Sequence, residues 1–366
     1  MKVFKTIYTP IVLASLVLGF VGCSKERFAE INTDPNRPET VSTPYILVTA
    51  QKQIMDASRS ESINLRGAQL YAQYFSQHIY TDQSRYLVTT EYADEYWTNT
   101  YKALNNLNEI IHLNSDEETK AVVAAGAAGS NANQIAIARI LKSYAFHSLS
   151  DVFGDIPYQS YGNSDPDFQA LSQETEILSP AYASQEKVYK DILNELKQAA
   201  DTLIKYQDEN TFGTADIIYK GDNNKWAKFA NSLRLRLATR IKAKDAAIAN
   251  EHIEDALAKG VFTSNQDNAV FTYSETSPGE APLFRATVIA NRKDFAVSNV
   301  IVEALQGKRG PFKTQDPRLA KYANKNAAGA YVGHPYGLPL SASNILPLPT
   351  VSLPGDIINA ANYAEV

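Results

Sequence analysis

The pattern of apolar and polar positions predicts helices from about residue 46 to residue 260. Apolar residues recur there at intervals of three and four, the spacing that places side chains on one face of a helix. Paired helices joined by modest loops are typical of a helical-repeat scaffold. Three predicted helices carry the positions Val188, Ile192, Leu196, Ala199 and Leu203, then Ile137, Leu141, Tyr144 and Ser148, and then Phe229, Leu233, Arg236, Leu237 and Arg240.

Turn-forming residues mark the ends of these helices. Gly154 predicts the end of the helix that contains Ile137, because glycine readily adopts the left-handed backbone that closes a helix. The polar turn 221–224 precedes the helix that contains Phe229. A shorter helix is predicted near residues 252–259, closed by Gly260, and the Ala/Gly/Ser/Asn-rich stretch 121–134 predicts a surface loop.

Helical periodicity stops near residue 261. Short extended segments are indicated by Phe262, Val270, Phe271 and Tyr273, and the stretch 329–355 is rich in proline and glycine without any period. We therefore predict a helical-repeat scaffold over residues 46–260 and a loop-rich, ligand-side subdomain with little β structure over residues 261–366. The last residues contain no helix stop, and we expect the C-terminal part of this subdomain to be truncated.

The first 22 residues predict a lipoprotein signal peptide. Lys2 and Lys5 precede an apolar stretch that is too short to span a bilayer. The segment Phe20-Val21-Gly22-Cys23 is a variant of the bacterial lipobox, and Cys23 is the only cysteine in the chain. We predict that Cys23 is lipidated, with residues 23–45 as the anchor and N-terminal arm; the alternative is a plain secretory signal with an incidental cysteine.

Composition narrows the class of protein. The chain has 366 residues, with 44% hydrophobic and 20% charged residues, which excludes wholesale disorder. Its 35 Lys and Arg against 40 Asp and Glu give a formal charge of −5, so no net positive charge is present to neutralise nucleic-acid phosphates. One cysteine excludes an intramolecular disulfide and a zinc site built from several thiolates.

Catalytic and metal motifs are missing from the sequence. It contains no HExxH, no Gly-x-Ser-x-Gly, no P-loop and no dinucleotide-binding glycine pattern, and its five histidines are scattered. Asp151 and Asp155 are the tidiest carboxylate pair for a glycosidase, but their spacing around Gly154 fits a helix-ending turn better. Asp165 and Asp167 lack the remaining ligands of an EF-hand, so a calcium site is unsupported. We predict a protein that is not an enzyme and has no cofactor.

Tyrosine is the residue in excess, with 21 Tyr against 14 Phe and 2 Trp. A tyrosine ring has an apolar face and a polar hydroxyl, which suits stacking on sugars at a wet surface. The helical spacings Tyr71–Tyr74 and Trp97–Tyr101 favour packing in the core instead. For a ligand-binding site we predict stacking by Tyr80, Tyr86, Tyr96 and Trp97, with Asp82 and Arg85 bonding to hydroxyl groups.

Several segments resemble one family, the SusD-like (SusD/RagB) nutrient-binding outer-membrane lipoproteins. They follow the family's order along the chain, and the closest resemblance is to the subgroup with an Asn-Ser-Leu-Arg-Leu-Arg segment. The segments are the lipobox with Ile31-Asn32-Thr33-Asp34-Pro35-Asn36, then Trp97-x3-Tyr101-x2-Leu104-Asn105-Asn106-x-Asn108, Ala138-Arg139-Ile140-Leu141-Lys142 with Phe153-Gly154-Asp155-Ile156-Pro157-Tyr158, Trp226-x2-Phe229-Ala230-Asn231-Ser232-Leu233-Arg234-Leu235-Arg236, and Asp316-Pro317-Arg318-Leu319.

The resemblance implies a mainly α fold of tetratricopeptide-like helix pairs that support a loop-rich region. It also implies a lipid-anchored protein of the outer membrane, facing outward, that captures glycans and delivers them to a SusC-like TonB-dependent transporter without cleaving them. On this view the Trp226–Arg236 segment is architectural. Two alternatives remain: a binder of peptides or another nutrient on the same scaffold, and a surface glycosidase.

Overall fold

Within the residues that the structure describes, six long helices form the body of the protein. They contain 14 to 23 residues each, and between them lie shorter helices, turns and two small sheets. The signal peptide, Cys23 and most of the N-terminal arm fall outside the described residues. The structure, a computed structural model, describes residues 41–89, 93–126, 128–171, 177–343, 350–354 and 362–365.

The long helices pack in chain order, each against the next, as in a helical-repeat array. The predicted mainly α architecture is therefore confirmed. The α-helices described between residues 43 and 259 are α1 (Thr43–Ser58), α2 (Gln69–Tyr71), α3 (Asp94–Ser115), α4 (Lys120–Ala125), α5 (Asn131–Phe153), α6 (Gln185–Lys205), α7 (Asn223–Ile241) and α8 (Ala246–Lys259). The later, shorter helices are α9 (Pro282–Phe284), α10 (Asn299–Leu305), α11 (Leu319–Tyr322) and α12 (Leu340–Ser343).

The apolar stripes and the predicted helix ends account for the long helices. The five stripe positions of α6 are fully buried, as predicted. Gly154 closes α5 with φ 79° and Gly260 closes α8 with φ 100°, backbone angles that favour glycine. Asp222 caps α7 by accepting a hydrogen bond from the Lys225 amide at 3.0 Å.

Two boundaries differ from the prediction. The stretch 121–134 is not a loop throughout, because α4 covers residues up to Ala125 and α5 begins at Asn131. Its alanines favour helix, and low sequence complexity concealed that preference. The first helix begins at Thr43, inside the predicted arm; Pro44 is tolerated there because the first helical turn leaves its amides without intrahelical acceptors.

The Trp226–Arg236 segment packs within the scaffold, in agreement with the architectural role that the resemblance implied. Trp226, Phe229 and Leu233 are buried between the helices on one face of α7. Arg234 is also buried and donates a hydrogen bond to Asp255 of α8 at 2.6 Å. The pairing compensates the guanidinium charge for its loss of water.

Two short antiparallel sheets join distant parts of the chain. Strand β1 (Phe75–Gln77) pairs with β3 (Phe295–Val297), with Ser76 opposite Ala296. Strand β2 (Ala269–Thr272) pairs with β4 (Asn362–Glu365). The small amount of β structure agrees with the predicted fold class.

The apolar core has two parts. The larger lies between the long helices and extends past the predicted boundary at residue 260, since Ala269, Phe271 and Tyr273 belong to it. The smaller core lies around β1 and β3 and gathers segments that are more than 200 residues apart. We call it the second core; its buried members are Leu65, Leu70, Phe75, Phe295, Val297, Val302, Leu305, Leu319 and Ala323.

Candidate functional site

The polar turn from Tyr80 to Tyr86, which follows β1 and includes the short 3-10 helix Gln83–Arg85, carries four of the predicted site residues. Its backbone is fixed by Gln77, a buried residue of β1. The Ser84 amide donates to Gln77 Oε1 at 2.9 Å, and the Ser84 hydroxyl donates to the Thr81 carbonyl at 3.0 Å. These bonds hold the turn in one shape and leave the side chains at its ends exposed.

Tyr80 and Tyr86 both have left-handed backbone, with φ of 58° and 62°. Gln73, just before β1, shares this conformation with φ 58°. Each such residue other than glycine costs about 1–2 kcal/mol, because its Cβ approaches a carbonyl oxygen. Strained backbone is concentrated at functional sites, where the surrounding structure holds it in place. Three such positions within fourteen residues therefore point to this region.

Three tyrosine rings meet beside this turn, and we call them the Tyr86 cluster. Tyr71 and Tyr86 are stacked with ring centroids 5.8 Å apart and an angle of 18° between the rings. Tyr336 lies 6.1 Å from Tyr86 at an angle of 57°. The Gln73 side-chain amide donates to the Tyr86 hydroxyl at 3.0 Å. Tyr86 nevertheless remains 53% exposed, so part of this aromatic surface faces solvent.

The loop around Tyr336 is held against the second core. The Tyr336 hydroxyl donates to the Leu70 carbonyl at 2.7 Å, and its amide donates to Asn299 Oδ1 at 3.1 Å. Burial, followed by the hydrogen bond with Tyr86, raises the pKa of the Tyr336 hydroxyl. A side chain at Gly333 would meet Asn299, since an added Cβ would lie 2.3 Å from the Asn299 Cα. Close approach of these backbones thus brings residue 336 to residues 70–86.

Asp82 and Arg85 form an ion pair at the surface of the turn, with Arg85 Nη2 donating to Asp82 Oδ1 at 2.7 Å. The Arg85 Nε also donates to the Thr81 carbonyl at 3.4 Å. Both side chains are exposed, on the same turn as Tyr80 and Tyr86. The structure therefore brings these four predicted residues together, and their contact with ligand stays a prediction.

Tyr96 and Trp97 lie elsewhere, at the start of α3. Tyr96 is only 4% exposed and packs parallel to Phe153 at 6.3 Å, so a ligand in solvent cannot reach its ring face. We therefore remove Tyr96 from the candidate site. Trp97 is half-buried, with its ring 6.2 Å from that of exposed Tyr182 and edge-on to Phe153. These rings form a separate group, which we call the Trp97 group.

In and beside the Tyr86 cluster lie residues that the sequence pattern assigned otherwise or missed. The spacing of Tyr71 and Tyr74 suggested a buried helical face, but α2 ends at Tyr71 and Tyr74 is exposed. Gln73 and Tyr336 were not predicted. The only local signal for Tyr336 is its place in the proline- and glycine-rich stretch, where binding loops are common.

The carboxylates considered for catalysis or metal binding have structural partners. Asp155 accepts a hydrogen bond from the Gln185 amide at 2.9 Å, and Asp151 bonds to Tyr189 and Arg240. Lys187 pairs with Asp165 at 3.1 Å and with Asp167 at 2.6 Å. Within the described ranges no group of three or more His, Cys, Asp or Glu residues is arranged to hold a metal ion. No helix in those ranges is both long and apolar enough to cross a bilayer.

Comparison with known families identifies the class of protein. The model of a SusD-like family, described as starch-binding and associating with the outer membrane, matches residues 35–361. The match covers most of the chain, and the chain belongs to this family. Comparison with curated proteins finds no match.

Solved structures support the same fold. A chitin-binding protein matches with a TM-score of 0.66 and 23% identity over 88% of this chain and 66% of its own. A SusD/RagB family protein from Bacteroides thetaiotaomicron matches with a TM-score of 0.63 and 21% identity, over 86% of this chain and 62% of its own. A SusD homologue from Bacteroides vulgatus matches with a TM-score of 0.64 and 19% identity, over 87% and 62%. This chain thus spans slightly less than two thirds of the length of these proteins.

Proposed function

We propose that this protein binds glycans or oligosaccharides at the cell surface and passes them to a SusC-like TonB-dependent transporter, without cleaving them. The observation that carries the proposal is the Tyr86 cluster. Its partly exposed rings can stack on the apolar face of a sugar, while the tyrosine hydroxyls, Gln73, Asp82 and Arg85 offer hydrogen bonds to sugar hydroxyls.

The strained backbone supports this use of the cluster. Left-handed Tyr80 and Tyr86 cost stability that a purely structural turn would save by using glycine. A ring displayed for binding gives a reason for keeping tyrosine at these positions. Family membership supports the same role, since the family is described as starch-binding.

The proposed location is the outer membrane, facing outward, with attachment through a lipid on Cys23. Family membership supports the membrane, and the lipobox-like segment before Cys23 supports the anchor. The transporter is proposed as the partner because binding alone does not move a glycan across a membrane.

Two other functions belong to different classes. A peptide or another nutrient could occupy the same aromatic surface, because the scaffold does not determine the ligand. A surface glycosidase requires two carboxylates beside the bound sugar. Peptide binding and release of reducing ends are the observations that would favour one or the other.

The test is calorimetric titration of the chain lacking residues 1–22 with a panel of malto-, chito- and other oligosaccharides. We expect at least one to bind and Tyr86→Ala to weaken that binding about tenfold, because a stacked ring contributes on the order of 1 kcal/mol and the cluster loses its centre. Tyr45→Ala is the matched control, since Tyr45 is an exposed ring on α1 outside the cluster.

Each other result has a definite meaning. Equal loss in both variants, or none in either, would reject the Tyr86 cluster as the site. Failure of every saccharide, with binding of a peptide library instead, would reject the glycan assignment. New reducing ends after incubation would show an enzyme.

A further inference from the structure

A second cleft lies between the ends of four long helices, away from the residues of the Tyr86 cluster. It is bounded by the C-terminal ends of α5 and α7 and by the beginnings of α6 and α8, and its volume is about 440 Å³. This is the size of a small-molecule site. Neither the family resemblance nor the aromatic pattern predicted it.

The carboxylates in this cleft are already engaged by other groups. Asp151 accepts hydrogen bonds from the Tyr189 hydroxyl and from Arg240 Nη1. Lys190 lies 3.1 Å from Asp245 and 2.7 Å from Glu186. Asp151, Asp245 and Glu186 therefore each have a partner, and Lys190 is shared by Asp245 and Glu186.

Positively charged donors with unused hydrogen bonds also line the cleft. Arg240 uses only Nη1 for Asp151 and Tyr189; its Nε and Nη2 have no partner among the described residues. Lys244 also lines the cleft, and within the described ranges its ammonium group pairs with no carboxylate. A guanidinium edge and an ammonium group are the donors that bind carboxylate or sulfate.

Apolar surface lies beside these donors, because partly exposed Ile241 also lines the cleft. Tyr189 is almost fully buried; its hydroxyl bonds to Asp151 and Arg240, so it fixes the position of the charged groups rather than offering a ring face. A ligand that fits has one negative group and a compact body with an apolar face.

We propose that this cleft binds an acidic saccharide, with its carboxylate or sulfate at Arg240 and Lys244. The choice of a saccharide rests on the glycan-binding function proposed above, whereas the recognition of an anion rests on the cleft alone. The protein then has two sites, one for neutral sugar faces at the Tyr86 cluster and one for a charged unit.

The experiment is calorimetric titration of the chain lacking residues 1–22 with a uronic-acid disaccharide, and with the neutral disaccharide of the same linkage. We expect only the acidic sugar to bind here. Lys244→Gln should weaken its binding about fivefold and the double variant Arg240→Gln/Lys244→Gln at least about tenfold, since charge-assisted hydrogen bonds are lost. Lys242→Gln is the matched control, because Lys242 is exposed nearby but does not line the cleft.

Further probes separate the sources of the negative charge. A sulfated disaccharide is expected to behave like the uronic acid. Sodium sulfate or an acidic tetrapeptide that binds as tightly as the acidic disaccharide would overturn the saccharide assignment. Unchanged affinity in Lys244→Gln, whose exposed side chain is not needed for folding, would overturn the site itself.

The two proposals fail in different ways. A protein that binds neutral oligosaccharides through Tyr86 but no acidic disaccharide contradicts only the second cleft. Acidic binding that responds to Lys244→Gln, together with neutral binding that ignores Tyr86→Ala, contradicts only the Tyr86 cluster.

Discussion

The Tyr86 cluster and the Trp97 group are both built from aromatic residues, but their rings differ in exposure to solvent. Tyr96 lies in the first turn of a 22-residue helix, and helix packing encloses its ring. Tyr80 and Tyr86 occupy a turn with left-handed backbone, and their rings remain exposed. The backbone conformation, more than the residue type, decides which tyrosines a ligand can reach.

The difference follows from how each segment is held. A helix fixes a side chain by packing it against neighbouring helices. A ring that is held rigidly on α3 is therefore also buried. The turn is fixed instead by hydrogen bonds that Ser84 donates to Gln77 and to the Thr81 carbonyl, and its aromatic residues remain exposed. A rigid site that is still open to solvent can therefore be built on a turn of this kind.

Truncating Tyr96 should produce the largest effect. We expect Tyr96→Ala to lower the free energy of unfolding by about 3–4 kcal/mol, because it leaves a cavity among buried residues. Tyr86→Ala should cost less than about 1 kcal/mol, because half of its ring is already exposed. Urea denaturation of both variants measures the two changes in the free energy of unfolding. Similar decreases in the two variants would show that Tyr86 also stabilises the fold by packing.

Acidification should weaken the scaffold that supports the Trp97 group. His147 lies on α5, the helix that ends at Phe153; burial first, and then the charge of Arg236, lower its pKa to about 4. The unfolded chain takes up this proton near pH 6.5, so the stability contributed by the neutral ring is present above that pH. It is lost as the pH falls from 6.5 to 4, by at most about 3 kcal/mol.

Denaturation of wild type and His147→Gln at pH 7 and pH 4.5 tests this. The variant should lose less stability on acidification than the wild type. His112→Gln, an exposed position on α3, serves as the control. Equal pH dependence in all three proteins would contradict the role of His147.

A smaller effect should appear at Tyr80. Tyr80→Gly should raise the free energy of unfolding by about 1 kcal/mol, since glycine adopts φ 58° without strain and the lost ring is mostly exposed. Tyr80→Ala removes the same ring and keeps the strain. A urea series in which glycine and alanine have the same effect would reject strain at this residue.

The scaffold could be predicted from the sequence because its signals are local. The apolar stripe of α6 and the glycines that end α5 and α8 each depend on residues within a few turns of one another. The helix α4 escaped prediction because all of its described side chains are at least partly exposed, and an exposed helix leaves no apolar stripe.

The site could be predicted only in part. The structure brings Tyr80, Asp82, Arg85 and Tyr86 together because they share one turn, and their contact with ligand stays a prediction. Tyr336 was missed because it reaches them through the pairing of β1 with β3, and no local pattern records a contact across about 250 residues. Tyr96 was misassigned because a helix start and a polar turn look alike in composition.

The pairing of β1 with β3 also determines at which stage of synthesis and folding the Tyr86 cluster can form. Tyr71 and Tyr86 are synthesised before the helices α3 to α8, and Tyr336 only after them. The helices can fold from neighbouring contacts, whereas the third ring must wait for a very long loop to close. A chain stopped or cut before residue 336 would thus keep its long helices and lose an intact cluster. An intact Tyr86 cluster therefore reports on completed synthesis in a way that helix content does not.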